Sequence, residues 1–438
     1  MTTRAPGPHY GMAAVSTDTG HNGTMIDTAW ALNQPEKRTD WGWRAMHGTV
    51  VHGKALVAAY YSRPAAHSYY NGCSTGGRQG LREVQKFPDS FDGALIGAPA
   101  WWTTHLNNWI TKVGTDNFPA SDPKHIPMTL LPFLAHEARA QCDAQDGVVD
   151  SIVSNPMSCK YDFSKLLCIN STPLPDPTSF HGRNCLTPIQ LQTAMNIYGD
   201  YRSASGELLY PGLTISSESQ WPLLIGEPTG PSGFGVGYDK DFLYDDPNWK
   251  WESYNDSAIA EADARDPGQC NADNYGALKA YKQRGGKMIL YHGLADGLVP
   301  TKGSLMYYDK TVQAFGGDLE GVRDFFRMFL VPGMHHCWNT DDAVKAPWNF
   351  GGATQAGAMG MGEWSVPGFK DARHDAMLAM IGWVEGGKVV EEIVATSWHS
   401  RWNASSGVVR QRPLCPWPEK ALYNGVGDVN AANSWRCS

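Results

Sequence analysis

Gly72-Cys73-Ser74-Thr75-Gly76-Gly77 stands between two regular segments. Upstream is the strand-like His67-Ser68-Tyr69-Tyr70-Asn71, and downstream the helix-like Arg78-Gln79-Gly80-Leu81-Arg82-Glu83-Val84-Gln85. A G-x-S-x-G run between strand and helix predicts a turn so tight that the serine hydroxyl is lifted clear of the sheet. Glycine at 72 and 76 removes the Cβ atoms that would strike neighbouring backbone. The N–H of Thr75 is then aimed at the place where an oxyanion would develop. Gly-Ser turns are common, so this run alone leaves an ordinary loop open.

Two later segments weigh against the ordinary loop. Lys287-Met288-Ile289-Leu290-Tyr291-His292-Gly293-Leu294-Ala295-Asp296 reads as a buried strand ending in an acid. Open α/β sheets carry their functional groups at such strand ends. Phe325-Phe326-Arg327-Met328-Phe329-Leu330-Val331-Pro332-Gly333-Met334-His335-His336-Cys337 is a second apolar run, ending in two histidines. Serine, then acid, then histidine is the chain order of α/β-hydrolase triads. In that arrangement Ser74 attacks an ester carbonyl, His336 takes and returns the proton, and Asp296 orients and supports the imidazolium. His335 is the rival base, and His292 reads as a packed structural histidine. Cys73 precedes the candidate nucleophile and Cys337 follows the candidate base. A disulfide between them would tie Ser74 to His336, the alternative being two buried thiols.

Cys73-Ser74, Asp296 and His336-Cys337 resemble the CS-D-HC arrangement of the tannase/feruloyl esterase family, which includes bacterial mono(2-hydroxyethyl) terephthalate hydrolase. The resemblance runs from about Tyr10 to Cys437. It takes in Ser16-Thr17-Asp18-Thr19-Gly20-His21, Phe91-Asp92-Gly93-Ala94-Leu95-Ile96-Gly97-Ala98-Pro99-Ala100 and Arg412-Pro413-Leu414-Cys415-Pro416. Gly297-Leu298-Val299-Pro300 and Cys337-Trp338 are closest in flavour to the fungal feruloyl esterases. The resemblance implies an α/β-hydrolase fold with a large inserted lid. It also implies a secreted serine esterase releasing hydroxycinnamic acids such as ferulate or p-coumarate, with galloyl esters as the alternative. The substrate would be a small aromatic ester or a feruloylated polysaccharide. The family pattern pairs Cys73 with Cys337, Cys142 with Cys159, Cys168 with Cys185, and Cys415 with Cys437, leaving Cys270 over.

The resemblance also gives meaning to Cys142-Asp143-Ala144-Gln145-Asp146-Gly147-Val148-Val149-Asp150-Ser151-Ile152. Three carboxylates in eight residues repel one another unless a cation or solvent relieves them, and a solvated acidic turn is the plain reading. Family members bind structural calcium at this spacing. The implied ligands are the carboxylates of Asp143, Asp146 and Asp150 with the carbonyls of Val148 and Ile152, a set suited to a hard cation. This is not an EF-hand, which needs another spacing and a closing glutamate.

Composition sets the bounds. A net charge of −8 argues against nucleic acid as a partner. No apolar run approaches the ~18 residues that suggest a membrane helix. Nine cysteines suggest an oxidising compartment. Asn22, Asn170, Asn255 and Asn403 lie in N-glycosylation sequons. Met1-Thr2-Thr3-Arg4-Ala5-Pro6-Gly7-Pro8 has no secretory signal pattern.

Along the chain, residues 1–102 and 284–438 read as the two parts of the α/β-hydrolase core. Residues 103–283, rich in Pro, Gly, Asn and Asp, read as the inserted lid carrying the calcium site, being too long for a loop. Helices are expected over Ala45–Tyr61, Thr301–Ala314 and Asp371–Glu385. His9–Ser16 reads as a central strand. Family members carry early strands and a Gly-rich loop ahead of this point, the loop giving a second oxyanion N–H, and no match to it is present. The chain therefore reads as truncated, its first strands missing. Loss of one such donor costs about 10²–10³ in rate, so a non-catalytic remnant is the third reading.

Overall fold

The computed structural model describes residues 7–168, 185–226, 230–359, 366–400 and 402–438. Four strands, β1 (Tyr69–Cys73), β2 (Gly93–Gly97), β3 (Lys287–Gly293) and β4 (Phe326–Val331), form a parallel sheet in the order β1-β2-β3-β4. Cys73 lies opposite Gly97, Gly97 opposite Tyr291, and Gly293 opposite Val331, so the C-terminal ends align along one edge.

β2, β3 and β4 are buried on both faces, which is why they read as near-continuous apolar runs. Tyr70, Ala94, Ile96, Met288, Leu290, Phe326 and Met328 face one core with Leu81, Val84, Tyr307 and Tyr308. Leu95, Ile289, Tyr291, Phe329 and Val331 face the other with Met377, Met380, Trp383 and Trp398. The first face is covered by helices α1 (Ala45–Tyr61), α2 (Thr75–Lys86) and α6 (Thr301–Ala314). The second is covered by α7 (Ala376–Gly386) and by the antiparallel pair β5 (Ile393–Ser400) and β6 (Asn403–Leu414). Between β2 and β3 the chain forms helices α3 (Thr103–Asn117), α4 (Leu131–Cys142) and α5 (Pro188–Tyr198) around a separate core that includes Trp109, Leu134, Ile197 and Trp221. Leu298 and Val299, just past Asp296, join that core.

Three expectations need correcting. His9–Ser16 is no strand: Gly7–Tyr10 is a short 3-10 turn and Val15 is 56% exposed, with no partner strand among the described residues to accept its backbone. The last helix starts at Ala376, because the Asp375 carboxylate caps it by accepting the N–H groups of Met377 and Leu378. On α1, where Val50, Val51, Leu56 and Val57 stand at the helical offsets of an apolar face, only Val50 and Gly53 are buried, and Val51 and Leu56 lie exposed.

The four expected disulfides are present: Cys73–Cys337, Cys142–Cys159, Cys168–Cys185 and Cys415–Cys437. Cys270 is a buried free thiol, its pKa pushed up to about 12 by burial. Asn22, Asn255 and Asn403 are exposed, and the Asn170 sequon lies outside the described residues. Among the described residues, no helix is long and apolar enough to cross a membrane.

Candidate active site

Ser74 sits between β1 and α2 with φ 65° and ψ −123°. That conformation is strained for a residue with a side chain. The backbone around it is tied down: Ser74 N–H donates to Gly97 O at 3.0 Å, and Ser74 O accepts from Arg78 N at 3.0 Å and Ala100 N at 3.2 Å. The glycine requirement differs partly from expectation. A Cβ at Gly72 would lie 2.5 Å from the Tyr70 hydroxyl and 2.9 Å from the Gly76 carbonyl carbon, so glycine is needed there. At Gly76 the nearest atom would be 3.7 Å away, an ordinary contact. The tight second position is Gly77, where a Cβ would meet Gly97 O at 2.4 Å as α2 packs against β2. Thr75 opens α2, so its N–H is among the first-turn donors that have no acceptor within the helix.

Asp296 follows β3 and is fully buried. One oxygen, Oδ1, accepts the N–H groups of Leu298 and Val299, each at 2.9 Å. The other, Oδ2, meets His336 Nδ1 at 2.7 Å and His292 Nε2 at 3.0 Å. Burial by itself would raise this carboxyl. The charge of His336 and the hydrogen bonds from both histidines outweigh it and hold the group well below the usual carboxylate range. His292 Nε2 also lies 2.9 Å from Val299 O, so it carries the proton, and Nδ1 accepts from the Ser304 hydroxyl at 2.7 Å. His292 is thus packed, as expected, but it also grips the acid directly. Its position four residues before Asp296 was a visible signal.

Of the two adjacent histidines, His336 faces Asp296, whereas His335 Nε2 lies 3.0 Å from the Ser219 hydroxyl. With Nδ1 of His336 bonded to the acid, its Nε2 is buried and makes no hydrogen bond within the protein. Cys337, at φ 65°, is disulfide-bonded to Cys73 with a Cα–Cα distance of 5.9 Å. The serine and the histidine are each one residue from this bridge. An acid, an imidazole with one open nitrogen, and a half-buried serine on a tight turn have the composition of a general-base-activated nucleophile.

Gln220 carries no signal that marks it in the sequence. Its side-chain oxygen accepts the N–H of His336 at 2.8 Å and that of Gly297 at 3.1 Å.

The acidic loop follows α4, and its end, at Ser151, lines one cavity with Ala295 and His335. Asp143 accepts the N–H groups of Asp150 and Ser151, Asp146 that of Val148, and Asp150 that of Ile152. The second Asp150 oxygen meets Arg412 at 2.5 Å. The oxygen-only donors are of the kind calcium takes. Among the described residues, however, no group of three His, Cys, Asp or Glu side chains converges as a ligand set, so the arrangement as it stands is held by backbone N–H groups and Arg412.

A family model described as tannase and feruloyl esterase matches residues 2–227 and 268–438. A Neosartorya fischeri protein named probable feruloyl esterase B-1 is 31% identical over 98% of this chain and 76% of its own length. An Aspergillus fumigatus protein of the same name is 33% identical over the same shares. The crystal structure of feruloyl esterase B from Aspergillus oryzae superposes with TM-score 0.87 at 30% identity, covering 98% of this chain and 80% of that one. Tannin acyl hydrolase from Aspergillus niger shares the fold, with TM-score 0.67 at 23% identity over 92% of this chain and 71% of that one. The fold is that of an α/β hydrolase, and the chain, a carboxylic ester hydrolase, belongs to the tannase and feruloyl esterase family.

Proposed function

We propose that this chain hydrolyses esters of hydroxycinnamic acids, ferulate and p-coumarate among them, through an acyl-enzyme on Ser74. The observation that carries the reading is the Asp296–His336 pair, with the open Nε2 of His336 held one residue from the bridge to Cys73. His336 Nε2 takes the Ser74 proton as the hydroxyl oxygen attacks the ester carbonyl. Asp296 holds the imidazolium that forms, and the Thr75 N–H receives the oxyanion. His336 then returns the proton to the leaving alcohol. A water, deprotonated by the same nitrogen, releases the acid.

Ferulate is favoured over gallate because relatives at 31% and 33% identity bear the feruloyl esterase name, while the tannin acyl hydrolase is more distant. The natural substrate would be a small aromatic ester or a feruloylated plant polysaccharide. Residues 103–283 would act as a lid, an assignment supported by their separate core and by Gln220 reaching the histidine loop. Four disulfides favour a secreted protein. We assign structural calcium to the acidic loop on its oxygen donors, held by Asp143, Asp146 and Asp150 with the Val148 and Ile152 carbonyls. When bound, the ion would neutralise the clustered carboxylates and pin the loop, with no part in the chemistry.

The test is hydrolysis of methyl ferulate and methyl gallate by wild type and Ser74→Ala. Turnover of ferulate in preference to gallate, lost in the variant, is expected. A preference for gallate would make it a tannase, and turnover that survives in Ser74→Ala would remove the serine from the mechanism.

A further inference from the structure

We infer that Gln220 is a positioning residue that ties the acid loop to the base loop, so that the segment between β2 and β3 completes the catalytic geometry. The inference rests on Asp296 and His336 acting as proposed above.

The turn from Thr214 to Gln220 makes four contacts with the two loops. The Thr214 hydroxyl donates to Leu294 O at 2.7 Å. The Ser219 hydroxyl lies 3.0 Å from His335 Nε2. The Gln220 oxygen accepts from both Gly297 N and His336 N. Both donors are backbone N–H groups, so the side-chain oxygen, and not the amide nitrogen, must face them. One acceptor therefore fixes the backbone immediately after the acid and the backbone of the base itself.

Packing supports the same reading. A Cβ at Gly297 would sit 2.6 Å from both Gln220 Cβ and Ser217 O. Gly297 has no side chain because the turn fills that space. The turn is itself anchored. Trp221 is buried and donates from Nε1 to the Ser217 hydroxyl at 3.1 Å, and the Ser217 hydroxyl donates to Thr214 O at 2.6 Å. Buried Glu218 accepts from the Tyr198 hydroxyl at 2.7 Å and from Ser216 N at 2.8 Å. A rigid turn presenting one acceptor to two loops suits a positioning device, because small displacements of a catalytic base cost rate steeply.

Replacing Gln220 by methionine keeps the length and removes the acceptor, and Gln220→Glu restores an acceptor oxygen. The measurements are kcat and KM for 4-nitrophenyl acetate at pH 8, with Tm, for wild type, Ser74→Ala and both Gln220 variants. A roughly 10–100-fold fall in kcat for Gln220→Met, with KM within about twofold, is expected from misplacement of about 1 Å or less. Gln220→Glu should recover most of that loss. Unchanged kcat in Gln220→Met would overturn the inference. So would an equal loss in both variants with a matching fall in Tm, which would mark the residue as merely structural. Wild-type turnover that Ser74→Ala retains would instead remove the serine reading and the inference with it.

Discussion

Asp296 receives four hydrogen bonds, from two backbone N–H groups and two histidines, and this set explains how a fully buried carboxylate stays ionised. Asp296→Asn would place an amide where His336 Nδ1–H needs an anion and would disturb its tautomer. A fall in kcat of about 10³–10⁴ is expected, measured on 4-nitrophenyl acetate with circular dichroism as the folding control. A loss below tenfold would count against the acid's role. The same carboxylate links folding to pH. Its folded-state value is depressed, so its contribution is fully present above the unfolded value of about 3.9. It is lost as pH falls through the folded value. Asp296 and His336 stand out in sequence because each follows an apolar run that reads as a buried strand, and Ser74 because of its glycine-flanked turn. Gln220 could not. Its partners Gly297 and His336 are remote in sequence, and its own stretch of short turns has no period that would reveal which way a side chain points.

Cys73 closes β1 and Cys337 lies beyond β4, and these are the two outer strands of the four-stranded sheet. The bridge therefore makes the histidine loop cross the C-terminal edge of the sheet and return to the serine. The sequence separation is 264. A loop of that length gives roughly 5 kcal/mol of stabilisation by the chain-entropy model. Replacing both cysteines by alanine should lower the urea midpoint and reduce kcat at least tenfold, as should reduction of the wild type. Full activity in the double variant would refute the tether. The extents of two helices were legible: α1 and α6 span the residues expected of them. His9–Ser16 shows the limit. A strand needs a neighbour to accept its backbone, and a local pattern carries no record of whether that neighbour exists. The β5–β6 pair escaped for the related reason that its register, broken near Ser397 and Trp398, depends on partners across the hairpin.

The acidic loop belongs to the segment between β2 and β3, and it tests how far that segment depends on an ion. Calcium at a hundredfold excess over its Kd would add about 2.7 kcal/mol by mass action. Chelation with EDTA should therefore lower Tm by several degrees, and added calcium should restore it. An identical melt with and without the ion would leave Arg412 and the loop's own N–H groups as what holds the carboxylates. The internal arrangement of the segment between β2 and β3 was not legible in composition, because its core is assembled from many short elements.

The long connection between β2 and β3 sets a schedule for synthesis. β2 pairs with β1 on one side and with β3 on the other, yet residues 98–286 are made between β2 and β3. At about 5–20 residues per second, that interval lasts on the order of 10–40 s. For that time Gly93–Gly97 offers an unpaired edge of five residues, while the intervening segment emerges and gathers its own core around Trp109 and Trp221. A nascent chain with such an edge is open to pairing with its neighbours. Slowing elongation after β2 would therefore favour aggregation, and early collapse of the intervening segment would limit it.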